Sequence, residues 1–241
     1  MARRGDEARL RSRNGKDLTD RFPDVAAAAV RQIPDGVVLD GELVILVNGK
    51  LSFGALQRRL VTAPSKARKL VADVPASYVA FDVLAAAGVD LRTQRWTVRC
   101  SRLGKIASSW SVPLQLSPVT QSLDEAREWF EVLPDAMGIE GLVIKGAATP
   151  YAGGQRGWRK VKHRATREFV IGGVIEPITR PEVVIAGLYR GDGLVIVGRS
   201  VPLGPPQSGE LGAVLTPAKP AIRGRTRSRR SGGVGRIRRS R

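Results

Sequence analysis

A chain of 241 residues with 42% apolar side chains has room for one sizeable domain and part of a second. Its formal net charge of +18 calls for a polyanionic partner such as DNA or RNA. No apolar run approaches the roughly 20 residues of a membrane span, and residues 1–13 lack the apolar core of a secretion signal, so the expectation is a cytoplasmic protein with no membrane contact. The single Cys100 excludes an internal disulfide and a Cys-rich zinc site. The single His163 excludes a His-pair metal site and, lying among basic residues with no carboxylate near it in sequence, disfavours a Ser-His-Asp arrangement; any metal is left to oxygen ligands, which favours magnesium or manganese.

In chain order, residues 7–13 alternate as a strand and end in Ser12-Arg13-Asn14-Gly15, where Asn-Gly signals a turn; only residues 1–5 precede it. Residues 22–33 predict a helix, with Pro23 in its first turn and alanines at 26–29. Residues 37–47 form a near-continuous apolar strand interrupted by Asp40-Gly41-Glu42, and Asn48-Gly49 turns it back into Leu51-Ser52-Phe53. Two carboxylates beside an apolar core resist burial unless a cation or a donor meets them. Residues 56–60 and 65–72 predict short helices with basic outer faces. Residues 77–84, apolar on both sides, predict a central strand carrying Phe81-Asp82. A helix over 95–109 and a strand over 113–119 follow. Ser122-Leu123-Asp124-Glu125 is a capping box that opens a helix ending at Leu133.

Residues 139–164 hold two short strands whose ends carry charge that packing does not require. In one, Leu142, Val143 and Ile144 lie between Glu140 and Lys145; in the other, Trp158 and Val161 alternate with Lys160 and Lys162. Period two puts Lys160 and Lys162 on one face, where they repel unless an anion sits between them, and a phosphate is the obvious candidate. Most such pairs are simply a solvated strand face. Residues 168–175, 183–190 and 194–199 then predict three strands with no helix between them, the start of a small antiparallel barrel or meander with open edges. From Gly204 the chain turns to Gly, Pro, Ser and Arg. Residues 217–241 carry ten basic and no acidic residues, which leaves +8 on the other 216.

Set in order, Ser12-Arg13-Asn14-Gly15, Asp40-Gly41-Glu42, Phe81-Asp82, Glu140-Gly141-Leu142-Val143-Ile144-Lys145 and Trp158-Arg159-Lys160-Val161-Lys162 resemble the nucleotidyltransferase motifs of ATP-dependent DNA ligases. The likeness is greatest to the bacterial ligases tied to repair and spans residues 9–203. It implies an α+β fold: an ATP-grasp-like nucleotidyltransferase (adenylation) domain at 1–165, an incomplete antiparallel OB-fold-like barrel at 166–203 and a disordered, low-complexity Arg-rich tail at 204–241. In this family a lysine takes AMP from ATP, AMP passes to a 5′-phosphate at a nick, and the 3′-hydroxyl then displaces it; each step is an in-line displacement at phosphorus, served by positioning and charge neutralisation.

The resemblance implies a role for each island. Phe81 resembles the aromatic that stacks on adenine, Glu42 the carboxylate near the ribose and on the metal side, and Arg13 the arginine gripping the nucleotide. Glu140 resembles the metal-side carboxylate and Lys160 and Lys162 the pair facing the α-phosphate, with Lys145 and Arg156 as further nucleotide contacts. Implied with them are ATP, Mg2+ or Mn2+, nicked duplex DNA, a monomeric state and a place in repair, recombination or replication.

Two motifs of that family have no match. Its nucleophile lies in K-x-D-G upstream of Ser-Arg-Asn-Gly; nothing in residues 1–10 reads so, no lysine precedes Lys16, and Lys16 is not followed by Asp-Gly. Its last motif has no counterpart in 204–241. The expectation is a ligase truncated at its N-terminus and altered at its C-terminus, which as written forms no lysyl-AMP. The alternative is a catalytically incomplete nucleic-acid-binding remnant held on DNA by its basic surface. An RNA ligase or capping relative is a third reading, against which the Trp158-x-Lys-x-Lys form and the strands after it lean towards DNA.

Overall fold

The structure, a computed structural model, describes residues 1–155, 157–164 and 168–217. The chain divides into two units, Met1–Arg164 and Ala165–Arg241.

The first unit is organised by one mixed sheet. Strands β1 (Ala2–Arg4) and β2 (Glu7–Arg9) make a hairpin, and β3 (Val38–Val44) pairs with β1 on one side and with β6 (Ser77–Ala86) on the other. A short β7 (Val89–Asp90) turns back along β6, and β8 (Leu114–Leu116) runs parallel to it, so β6 is interior. Between β3 and β6 lies the hairpin of β4 (Leu46–Val47) and β5 (Lys50–Leu51), closed by Asn48-Gly49. Strand β1 is absent from the sequence expectation. Ala-Arg-Arg has no alternation to read, and its pairing comes from the two-residue turn at Gly5-Asp6. Asp40-Gly41-Glu42 does not break the strand either: β3 runs through it, with register irregularities at Val38/Leu39 and Asp40/Gly41.

Helix α1 (Pro23–Gln32) buries Val25, Ala28 and Ala29 completely against a core that includes Leu10, Phe22, Leu39 and Val83. Each fully buried Val, Leu or Phe contributes roughly 1.5–3 kcal/mol. Helix α2 (Phe53–Val61) starts at Phe53, which the sequence places in the hairpin, because Ser52 caps it by accepting from the Ala55 amide at 3.2 Å. Helix α3 (Pro64–Asp73) follows. Arg59 on α2 is fully buried: its Nε donates to the Arg21 carbonyl at 2.8 Å, its Nη1 to the Val74 carbonyl at 3.0 Å, and both Nη atoms pair with Asp24. Removing one partner of a buried pair strands the other charge, so Arg59→Ala is expected to lower the unfolding free energy by about 3–5 kcal/mol in urea denaturation.

Helix α4 (Trp96–Ala107) packs on β6, and α5 (Leu123–Met137) opens with Ser122 accepting from the Glu125 amide at 3.3 Å. The sequence ends α5 at Leu133, but the helix continues through Pro134 and stops at Gly138, whose amide reaches the Leu133 and Pro134 carbonyls. The ladder of β9 (Gly141–Ile144) and β10 (Arg159–Lys162) completes the unit.

The second unit is an antiparallel meander of β11 (Val170–Ile175), β12 (Val183–Arg190) and β13 (Gly193–Arg199). Among the described residues β11 and β13 are unpaired edges, and Phe169, Ile171, Ile175 and Val197 are all more than two-fifths exposed. The expected low-complexity tail from Gly204 is corrected over its first part, where α6 (Pro205–Val214) forms. Pro205 fits a first helical turn, and Gly212 lets the helix approach the 177–180 turn: a Cβ there would lie 2.0 Å from the Thr179 carbonyl oxygen. Residues 218–241, and with them the Arg-rich tail, lie outside the described residues.

Candidate active site

The β9–β10 register puts Lys160 opposite Val143 and Lys162 opposite Gly141. Just before β9, Glu140 is held by its carbonyl, which accepts from the His163 amide at 2.9 Å. Both lysine Nζ atoms therefore reach one oxygen, Glu140 Oε2, at 3.3 Å each. The anion that the Lys-x-Lys pair calls for is supplied here by the neighbouring strand. The two ammonium groups, Lys162 first and Lys160 second, hold the Glu140 carboxyl below its ordinary value of 4.5. A lowered folded value means that this interaction favours the fold above the ordinary carboxylate pKa and fades as pH falls through the lowered one. All three side chains are more than half exposed, so the effect on stability is small. An NMR titration of the Glu140 carboxyl is expected to show a midpoint below 4.5 that returns towards it in the Lys160→Ala/Lys162→Ala chain.

The second half of the site lies on β6. In the β3–β6 register Asp40 and Asp82 stand directly opposite each other, an arrangement that repels unless both are met. Asp82 is 1% exposed and takes a two-point pair from Arg99 of α4, Nε to Oδ1 at 2.8 Å and Nη2 to Oδ2 at 3.0 Å. Asp40 accepts from the Tyr151 hydroxyl at 2.7 Å, the donor that the sequence demands for the Asp-Gly-Glu island. Burial first, and this hydrogen bond second, push the Tyr151 hydroxyl up, so it stays a donor. Lys145, just past β9, donates to the Phe81 carbonyl at 2.7 Å and lies 3.9 Å from Asp82 Oδ2. Its Nζ sits 4.0 Å from the centre of the Trp158 ring and 4.8 Å from that of Phe81. Burial pushes this ammonium down, opposed by Asp82 and Asp40. Trp158 meets Phe81 and Tyr151 edge-on, each at 5.8 Å between ring centres.

The structure thus joins Glu140 to Lys160 and Lys162, and Phe81 to Lys145, with Trp158 immediately before the strand that carries the two lysines. Arg13 lies exposed in the turn closed by the Ser12 amide donating to the Lys16 carbonyl at 2.9 Å, and Glu42 is exposed on β3 opposite Val79; among the described residues neither makes a side-chain hydrogen bond or ion pair. Arg156 lies outside the described residues. Sequence reasoning missed Arg99, Tyr151 and the contact role of Trp158. Only Trp158, two residues before Lys160 in an alternating stretch, carried a readable signal, and it lies just ahead of β10 rather than in it.

Among the described residues no group of three or more His, Cys, Asp or Glu side chains gathers for a metal ion. Magnesium is commonly held by one or two carboxylates, with substrate phosphates and water filling the octahedron. Among the described residues Glu140 is exposed and its contacts with Lys160 and Lys162 are both to Oε2, which leaves Oε1 as a donor of that kind.

The chain belongs to the ATP-dependent DNA ligase family: the model of the ATP dependent DNA ligase domain matches residues 1–162. It is 34% identical over 196 residues to DNA ligase C2 of Mycolicibacterium smegmatis, covering 80% of this chain and 55% of that protein. It is 32% identical over 198 residues to DNA ligase C of Mycobacterium tuberculosis, covering 79% and 55%. The chain therefore spans about half the length of the curated relatives it matches. A solved structure described as mycobacterial DNA ligase D complexed with ATP and MES is 30% identical, with a TM-score of 0.52 over 80% of this chain and 61% of that one.

Proposed function

We propose that this chain binds an adenylate at the β6–β9–β10 site and acts on nicked duplex DNA, sealing the nick by the last step of DNA ligation. The observation that carries this reading is the convergence of Lys160 and Lys162 on one carboxylate oxygen at 3.3 Å, on a strand immediately preceded by Trp158, which meets Phe81. A site built to hold two ammonium groups on one anion can hold a phosphate instead.

In that step the 3′-hydroxyl oxygen attacks the 5′-phosphorus of the DNA-adenylate. The phosphodiester forms, the bond to AMP breaks, AMP leaves with the electron pair, and the hydroxyl proton passes to water. Phe81 offers a ring to the adenine, Glu42 and Arg13 address the ribose and the nucleotide side, and Lys145 and Arg156 add positive charge. Lys160 and Lys162 exchange Glu140 for phosphate oxygens and stabilise the charge that develops on them. Glu140, with Glu42 as a second carboxylate, would hold magnesium or manganese, which supplies charge neutralisation on the phosphates. The three-stranded meander serves as the OB-fold-like part. This step needs no lysine nucleophile.

The test is single-turnover sealing of a nick that already carries AMP, with magnesium and the folded chain in excess. Sealing is the expected result. DNA binding without sealing would favour the alternative, a nucleic-acid-binding remnant.

A further inference from the structure

Arg99 contacts none of the groups assigned to substrate, yet it is one of two arginines among the described residues that are fully buried. Arg59, the other, ties helix α2 to Asp24 of α1 and to the Arg21 carbonyl, and touches none of the residues around Phe81. Arg99 ties together the parts of the adenylate site. Its two-point pair with Asp82 anchors β6 immediately beside Phe81. Its Nη1 donates to the Gln94 carbonyl at 2.5 Å and to the Thr149 carbonyl at 3.2 Å. The segment around Thr149 is pinned to the start of α4 by two hydrogen bonds, the Trp96 amide donating to the Thr149 carbonyl at 2.9 Å and the Thr97 amide to the Ala147 carbonyl at 3.2 Å. That segment carries Tyr151, whose ring lies 5.8 Å from the guanidinium carbon. Tyr151 and Phe81 are the two rings that Trp158 touches.

We infer that Arg99 is a positioning residue for the base end of the adenylate site: by joining Asp82 to the Thr149 carbonyl it fixes the separation of Phe81 and Tyr151, and so the aromatic wall against which an adenine is placed. This rests on the proposed function of the site. The guanidinium is suited to the task because its planar fork meets both carboxylate oxygens and still has a donor for the two carbonyls. A lysine keeps the charge but has no fork. The second oxygen of Asp82 would then be left to Lys145, which would be drawn from its place over Phe81 and Trp158.

The phosphate end stands on different atoms, Glu140, Lys160 and Lys162, held by the β9–β10 ladder. The two ends can therefore be separated by experiment. Calorimetric titrations with ATP and with inorganic tripolyphosphate, both with magnesium, are made on the wild-type chain, on Arg99→Lys, and on the neutral pair Arg99→Gln/Asp82→Asn, which keeps hydrogen-bonding capacity without a stranded charge. Circular dichroism reports the fold of each. Arg99→Lys is expected to weaken ATP binding about tenfold, one charge-assisted hydrogen bond's worth, while tripolyphosphate binding stays within twofold. The neutral pair is expected to do the same. An equal loss for both ligands, no loss for ATP, or failure of both variants to fold would overturn the inference and leave Arg99 a packing residue. If the wild-type chain itself binds no ATP, it is the adenylate site of the proposed function that fails.

Discussion

Alanine at both Lys160 and Lys162 is expected to leave the chain folded and to slow sealing of a pre-adenylated nick by at least about a thousandfold. The fold should survive because the two side chains are 52% and 55% exposed and pair only with an exposed carboxylate. Such pairs are worth about 0–1 kcal/mol. The rate should fall because the phosphate in flight loses both cations aimed at it, and a single preorganised donor at such a centre is commonly worth about a hundredfold to a thousandfold. The two lysines act on one group, so each single alanine should cost most of what the pair costs. The check is a quenched single-turnover assay beside a thermal melt. Rates within tenfold of wild type would mean that the Lys-x-Lys face is merely solvated, the ordinary state of such pairs.

The second large effect is expected at Gly141, which separates Glu140 from β9. Its φ is +145°, a region that a side chain disfavours, and a Cβ there would lie 2.0 Å from the Val161 carbonyl oxygen and 2.8 Å from the Lys162 Cα. Both of those atoms are backbone of β10, so nothing flexible can yield. Gly141→Ala must push β9 away from β10, and with it Glu140 away from the two lysines. A loss of at least about 3 kcal/mol in urea denaturation is expected. Gly104→Ala in α4 is the control: a Cβ there meets nothing within 4 Å, and alanine favours a helix by about 1 kcal/mol. Equal stability of the two variants would show that the close approach at Gly141 is relieved cheaply.

Much of the first unit was legible because period and turn chemistry agree. Pro23 with its alanines marks α1, Asn48-Gly49 marks a hairpin, and the apolar run around Phe81 marks an interior strand. The awkwardness of Asp40 beside an apolar core also pointed to a missing donor, which proved to be Tyr151, distant in sequence. What the sequence hides is which groups meet across elements. Lys160 and Lys162 announce an unmet anion, but only the β9–β10 register supplies Glu140. Arg99 looks like Arg95 and Arg102 beside it; burial against Asp82, set by how α4 lies on β6, is what distinguishes it. Helix α6 was masked by its own composition, since Pro205, Pro206, Gly209 and Gly212 all read as breakers until the first turn and the contact at Thr179 are seen.

The most direct test of where an adenylate binds is photo-crosslinking with 8-azido-ATP and magnesium, followed by peptide mapping. The site described here predicts label on the peptides carrying Phe81 or Trp158, suppressed by excess ATP and by Phe81→Ala. Label spread over the basic surface, or label at one place that Phe81→Ala leaves unchanged, would contradict it.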